Sequence, residues 1–173
     1  MSHINFEFKA QSGNIDFLEK KLLELHPKFI GEDHQIDTYF NVQKGRLKLR
    51  EGNIENSLIY YERKDSAGAK QSDVLLYQHS AETSLKDILI KVHGVLVVVD
   101  KVRRIYFIDN VKFHFDRVVG LGTFVEVEAI DLNGGIGIEK LKNQCAEYAK
   151  LFGIKESDYI SHSYSDLILE SQI

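Results

Sequence analysis

The sequence predicts an α+β fold in which about eight strands roll into a barrel with a charged interior, flanked by helices. Three observations predict it. Several segments alternate apolar and polar residues at period two, the signature of strands with one buried face. The polar faces of those strands are sorted by charge instead of mixed. The 8 Tyr and 10 Phe, with no Trp, favour strands over a helical bundle.

Ile4, Phe6 and Phe8 alternate with Asn5, Glu7 and Lys9 in the first strand. After Ser12 and Gly13 the period becomes helical. Ile15, Leu18, Leu22 and Leu25 form a stripe that the His26-Pro27 step ends. Strands are expected over Asp37 to Val42, Arg46 to Glu51, Ser57 to Lys64 and Asp73 to His79, with Gly45 and Gly68 between them. Ser84 and Asp87 resemble a capping box opening a short helix that stops at Gly94. Three more strands are expected over Val95 to Phe107, Val111 to Val118 and Thr123 to Ile130. Ile138, Leu141, Cys145, Tyr148, Ala149 and Phe152 mark a helix closed by Gly153, and a last helix covers Ser163 to Glu170. Two similar halves fit this order, although no residue-level repeat supports them.

The sorted faces carry the chemistry. Arg46, Lys48 and Arg50 share one face opposite Leu47 and Leu49, and Glu126 and Glu128 another opposite Val125 and Val127. Lys112, His114 and Asp116 lie opposite Val111, Phe113 and Phe115. Lys101 and Arg103 sit two apart, but Asp100 and Arg104 occupy the other parity, and Tyr61 and Arg63 are equally hard to orient. For any one strand, the solvated face of an antiparallel sheet is a sufficient reading. Together the faces require more, because like charges repel unless an opposite charge, a metal or a polyanion lies between them. A barrel with charged faces inward and apolar faces under helices answers that. Converging Arg and Lys would hold phosphate oxygens in forked hydrogen bonds. Two or three carboxylates would hold a hard divalent cation such as Mg2+ or Mn2+.

Composition removes other classes. The 173 residues suit one domain, expected to span 1–173. With 22 Lys+Arg against 26 Asp+Glu the net charge is -4, whereas a nucleic-acid or anionic-membrane binder usually shows a basic excess. Cys145 is the only cysteine, which excludes an internal disulfide and a cysteine-based zinc site. The start, MSHINFEFKA, has no apolar segment of a secretory signal. The longest apolar run, Val95 to Val99, is far short of the roughly 20 residues a membrane helix needs. A cytoplasmic location is expected.

Taken together, these blocks resemble the CYTH superfamily, the triphosphate tunnel enzymes that include class IV adenylyl cyclases and thiamine triphosphatases. Asn5-Phe6-Glu7-Phe8-Lys9 is similar to its opening Glu-x-Glu-x-Lys strand. Asp37-Thr38-Tyr39-Phe40 with Gly45-Arg46-Leu47-Lys48-Leu49-Arg50 resembles its second block. Tyr61 to Lys64, Lys70 and Ser72 resemble its middle strands, and Lys101-x-Arg103-x-x-Tyr106 a further basic block. Asp116 and Gly120-Leu121-Gly122-x-Phe124-x-Glu126-x-Glu128 look like its most distinctive stretch, closest to the cyclase-like branch.

The resemblance implies a closed antiparallel β-barrel forming a triphosphate-binding tunnel. By position, it makes Glu7, Glu126 and Glu128 the metal carboxylates. Lys9, Lys48, Arg50, Arg63, Lys101 and Arg103 would hold phosphates, with Arg46 and Lys70 as further candidates. Glu7, Lys9 and Asp116 would serve catalysis, Asp116 by binding a second metal or orienting the nucleophile. The implied activity is closure of ATP to cyclic AMP with loss of pyrophosphate. Hydrolysis of an organic triphosphate or of inorganic tripolyphosphate is the alternative on the same fold. Asn5 stands where the family has a first glutamate, which removes one charge from the metal site and motivates a non-catalytic nucleotide- or polyphosphate-binding module as another reading.

Other residues have plainer readings. His114 is a proton carrier or a hydrogen-bonded barrel histidine, and Cys145 is simplest as core. Tyr39 and Tyr106 are packed aromatics more simply than base contacts. Gly120 and Gly122 are turn glycines, since no helix follows them to make a phosphate loop. The helix from Ile138 to Phe152 is an outer buttress of the barrel or part of a homodimer surface.

Overall fold

The computed structural model describes residues 2–63, 68–80 and 83–173, without the side chains of Arg63 and Thr83. Strands β1 (Ser2–Gln11), β2 (Lys28–Phe40), β3 (Arg46–Glu51), β4 (Ser57–Arg63), β5 (Lys70–Gln78), β6 (Val95–Ile108), β7 (Val111–Val118) and β8 (Gly122–Asp131) close into a barrel. Its order is β1-β5-β4-β3-β2-β6-β7-β8, and every neighbouring pair is antiparallel. Helices α1 (Ile15–Leu23), α2 (Thr83–His93), α3 (Ile138–Leu151) and α4 (Tyr164–Ser171) flank it. Among the described residues no helix is long and apolar enough to cross a membrane.

The barrel is turned inside out relative to one with an apolar interior, as the charge sorting predicts. Phe6, Phe8, Phe113, Phe115, Val125 and Val127 point outward and are covered by Leu18 and Leu22 of α1 and by Leu141, Cys145 and Ala149 of α3. The apolar stripe of α3 is therefore spent on the barrel, as the buttress reading has it. Leu85 and Leu89 of α2 cover Phe40 and Leu49, and α4 lays Tyr164, Leu167 and Ile168 on Val97, Val99 and Phe124. Val97, Val99 and Phe124 share the inward parity of Lys101 and Glu126, so α4 plugs one end of the barrel. The outward faces buried under α1, α2 and α3 supply the hydrophobic stabilisation that a charged interior cannot.

Most expected elements recur within a few residues. Gly94 (φ 72) donates its N–H to Ile90 O and ends α2 where expected. Ser163 caps α4 through the Asp166 N–H, and Asp166 returns the bond. The largest difference is β2, which begins at Lys28 and not at Asp37. Asp33, Gln35 and Asp37 turn inward there and are almost fully buried. Both faces of that stretch are polar, so no hydrophobic period marks it. Pairing with the long β6, across a bulge between Phe29 and Gly31, holds it as a strand. The expected end of the fourth strand at Lys64 lies outside the described residues.

Candidate active site

The inward faces line a cavity that opens to solvent, with about 820 Å3 of empty space counting its open part. Strand register builds its acidic corner. Glu7 on β1 pairs with Glu128 on β8, Lys9 with Glu126, and across β7 Lys112 pairs with Glu128 and His114 with Glu126. Antiparallel partners point to the same face, so these side chains meet inside. Ligand atoms of His114, Glu126 and Glu128 lie within 4.8 Å of one another. His114 Nδ1 stands 3.6 Å from Glu126 Oε2 and 3.9 Å from Glu128 Oε1.

The electrostatics of this corner fit a cation. Burial, then Glu126 and Glu7, push the Glu128 carboxyl up to about 8. Against its own burial, Glu126 is held well below the carboxylate range by His114, Lys9 and Arg103. Burial, then Arg103, pull His114 down to about 4, so its imidazole is neutral and offers a lone pair. Among the described residues neither ring nitrogen has a hydrogen-bond partner within 3.5 Å, and Asn5 Oδ1, also buried, has none. Glu126 Oε2, at 3.6 Å from Nδ1, is the nearest approach to a hydrogen bond that this barrel histidine makes. A carboxylate pair, a neutral imidazole and an amide oxygen are a donor set that suits a divalent metal. Glu7 faces Glu128 from β1 and accepts a hydrogen bond from Ser72 Oγ at 3.4 Å.

The basic side is organised around two buried aspartates. Asp37 Oδ2 accepts from Lys101 Nζ at 2.7 Å and Arg50 Nη2 at 2.9 Å, and Lys48 Nζ stands 3.3 Å away. Against its burial, Asp37 is held well below its ordinary range by Arg50, Lys101 and Lys48. One carboxylate cannot balance three cations. Burial pulls Lys101 down to about 7, with Asp37 opposing and Arg50, Arg103 and Lys48 adding to the pull. Asp116 forms a fork with Arg103, Nε to Oδ1 and Nη2 to Oδ2, both 2.7 Å, and accepts from Tyr164 Oη at 2.7 Å. Arg103 Nη2 also reaches Glu126 Oε2 at 3.3 Å, which joins the basic side to the acidic corner.

Lys9, Lys48, Arg50, Lys101 and Arg103 all line the cavity, as do Glu7, Glu126 and Glu128. Asp100 and Arg104, the other parity of β6, point out to His34 and Glu19. Asp116 is fully buried behind Arg103. Arg46 and Lys70 are not among the lining residues. Arg46 reaches Asp166 on α4 at 2.7 Å, and Lys70 Nζ donates to Ser161 O at 2.6 Å. Together they seat α4 over one mouth, with Lys9 Nζ 3.9 Å above the Tyr164 ring. The Arg63 side chain lies outside the described residues.

Three site features escaped the sequence reading of roles. Asp37 was visible only as part of a motif, and Glu55, in the β3–β4 turn, carried no signal. Glu55 lines the cavity and bonds Lys112 Nζ, with Arg50 Nη1 at 3.4 Å. A third is an apolar wall. Ile59 pairs with Leu76 and Tyr61 with Val74 across β4 and β5, and all four face the cavity.

The family model of the CYTH domain matches residues 3–164. No curated protein sequence matches the chain. Among solved structures, PH1012 from Pyrococcus horikoshii is 27% identical, with 94% of this chain and 98% of that chain covered at a TM-score of 0.79. An adenylate cyclase candidate from Vibrio parahaemolyticus shares the fold at 17% identity, with 98% and 99% covered and a TM-score of 0.74. HpAC1 from Hippeastrum, an adenylyl cyclase candidate with a dominant triphosphatase activity, shares it at 16% identity, with 98% and 95% covered and a TM-score of 0.62.

Proposed function

The chain belongs to the CYTH domain family, and we propose that it is a metal-dependent enzyme that closes ATP to cyclic AMP and expels pyrophosphate inside the tunnel. The observation that carries this reading is the sorting of one cavity into a basic side, an acidic corner and an apolar wall. A triphosphate answers the first, a divalent ion the second and a nucleoside base the third.

Lys9, Lys48, Arg50, Lys101 and Arg103 hold the phosphate chain. Asp37 and Asp116 fix those cations in place before substrate arrives, so little reorganisation remains for the reaction. Asp116, with both oxygens engaged, acts as a positioning residue for Arg103. Glu126, Glu128 and His114, with Glu7 and the Asn5 amide beside them, would hold Mg2+ or Mn2+. Bound there, the ion would neutralise phosphate charge and polarise the phosphorus under attack. Ile59, Tyr61, Val74 and Leu76 give adenine a surface that excludes water. In the reaction, the ribose 3′-hydroxyl loses its proton to solvent and its oxygen bonds to the α-phosphorus, while the bond from that phosphorus to the α–β bridging oxygen breaks and the oxygen leaves with pyrophosphate.

Phosphorus-31 spectra of pure protein incubated with ATP and Mg2+, or with Mn2+ that is removed before the spectrum is taken, test this. The expected products are cyclic AMP and pyrophosphate in equal amounts. Orthophosphate release marks a triphosphate hydrolase instead, the activity that dominates in HpAC1. Tight binding of ATP without turnover in either metal marks a binding module.

A further inference from the structure

The β3–β4 turn, residues 52–56, is built more firmly than a hairpin connection requires. Asp33, fully buried on β2, accepts backbone N–H bonds from Asn53 (2.6 Å), Ile54 (2.9 Å) and Glu55 (2.9 Å). Asn56 closes the turn on itself, accepting from Gly52 N at 3.1 Å and donating to Gly52 O at 3.0 Å. The packing is close. A Cβ at Gly52 would stand 2.7 Å from both Asp33 carboxylate oxygens, and one at Gly31 would stand 2.6 Å from Ile54 Cδ1.

This frame points Glu55 into the tunnel. Its carboxylate meets Lys112 Nζ, Arg50 Nη1 and Gln35 Nε2, the last at 2.9 Å. Against its burial, Lys112 and Arg50 hold it well below the usual carboxylate range, so it is ionised. β3 runs from Arg46, which meets Asp166 of α4, to Glu51, so the turn lies at the mouth opposite α4. The phosphate path is bounded by a seated helix at one end and a fixed negative charge at the other. Beside Glu55 the tunnel offers the apolar wall of Ile59, Val74 and Leu76.

We propose that Glu55 is a fixed acidic stop that sets substrate class: triphosphates whose far substituent is uncharged, and not longer polyphosphates. The inference rests on the reading of the tunnel as a triphosphate site. A neutral nucleoside passes Glu55 along the apolar wall. A fourth phosphate would be forced against an ionised carboxylate that cannot swing away, with α4 covering the other mouth.

Calorimetric binding of tripolyphosphate and tetrapolyphosphate, with divalent metal chelated, tests it. A basic tunnel without a stop binds the longer and more highly charged anion more tightly. The expected result for the native chain is the reverse, with tetrapolyphosphate weaker by ~10-fold or more, the ratio of one buried like-charge contact. Glu55→Gln keeps the shape and removes the charge, and is expected to bring the two affinities within about threefold of each other. Equal or tighter tetrapolyphosphate binding by the native chain overturns the proposal, whatever the variant does. An unchanged ratio in a Glu55→Gln protein that melts like the native chain also overturns it. If the native chain binds neither anion, the triphosphate reading falls first and the inference with it.

Discussion

At the residue scale, the informative side chains are those that spend burial on charge. Lys101 is the clearest, since it shares one carboxylate with Arg50 and Lys48 and sits at about 7 instead of its ordinary 10.5. Between those values the folded chain binds fewer protons than the unfolded chain, so this group adds stability as pH rises from about 7 toward 10.5. Anion binding runs the other way, because it uses the protonated amine. Tripolyphosphate affinity is therefore expected to be greatest below pH 7 and to fall as pH rises through it, with protons taken up on binding. Calorimetry at pH 6 and pH 9 in buffers of different ionisation heat checks this, and Lys101→Met should flatten the profile. The basic residues were legible because Arg and Lys alternate with Leu on β3. Their counter-ion Asp37 was legible only as a motif member, because a polar residue among polar neighbours shows no period. His114 stood out as a spacing, but its place between Glu126 and Glu128 is a tertiary fact.

At the scale of elements, the strands whose two faces differ in polarity were readable, and the ones polar on both faces were not. The stretch from Lys28 to Ile36 carries charged or polar residues on both parities, so only its pairing with β6 reveals it as a strand. The same stretch supplies Asp33, which makes the 52–56 turn a rigid part of the site. Gly52 and Asn56 are ordinary turn residues, but the buried Asp33 carboxylate that fixes the turn comes from a distant strand and leaves no local pattern. Asp33→Ala leaves three backbone N–H groups without their acceptor, and is expected to cost about 2–4 kcal/mol at roughly 1 kcal/mol or more per group. A shift in the denaturant midpoint measures it. Asp33→Asn, which keeps an acceptor oxygen, should cost less.

At the scale of the whole molecule, a net charge of -4 conceals a barrel whose basic and acidic groups occupy separate walls. Charge sorting by strand face carried the inside-out architecture, because register brings same-parity residues of neighbouring strands together. The seating of α4 on Arg46 and Lys70 and the turn that carries Glu55 depend on distant contacts, which no single segment encodes. The central claim is that this interior is preorganised for a triphosphate. Calorimetric comparison of tripolyphosphate with orthophosphate tests it most directly, before any question of turnover. The chain is expected to bind tripolyphosphate at least ~100-fold more tightly, since several fixed cations act on one anion. Equal affinity for the two anions, or no binding of tripolyphosphate at all, would contradict the account.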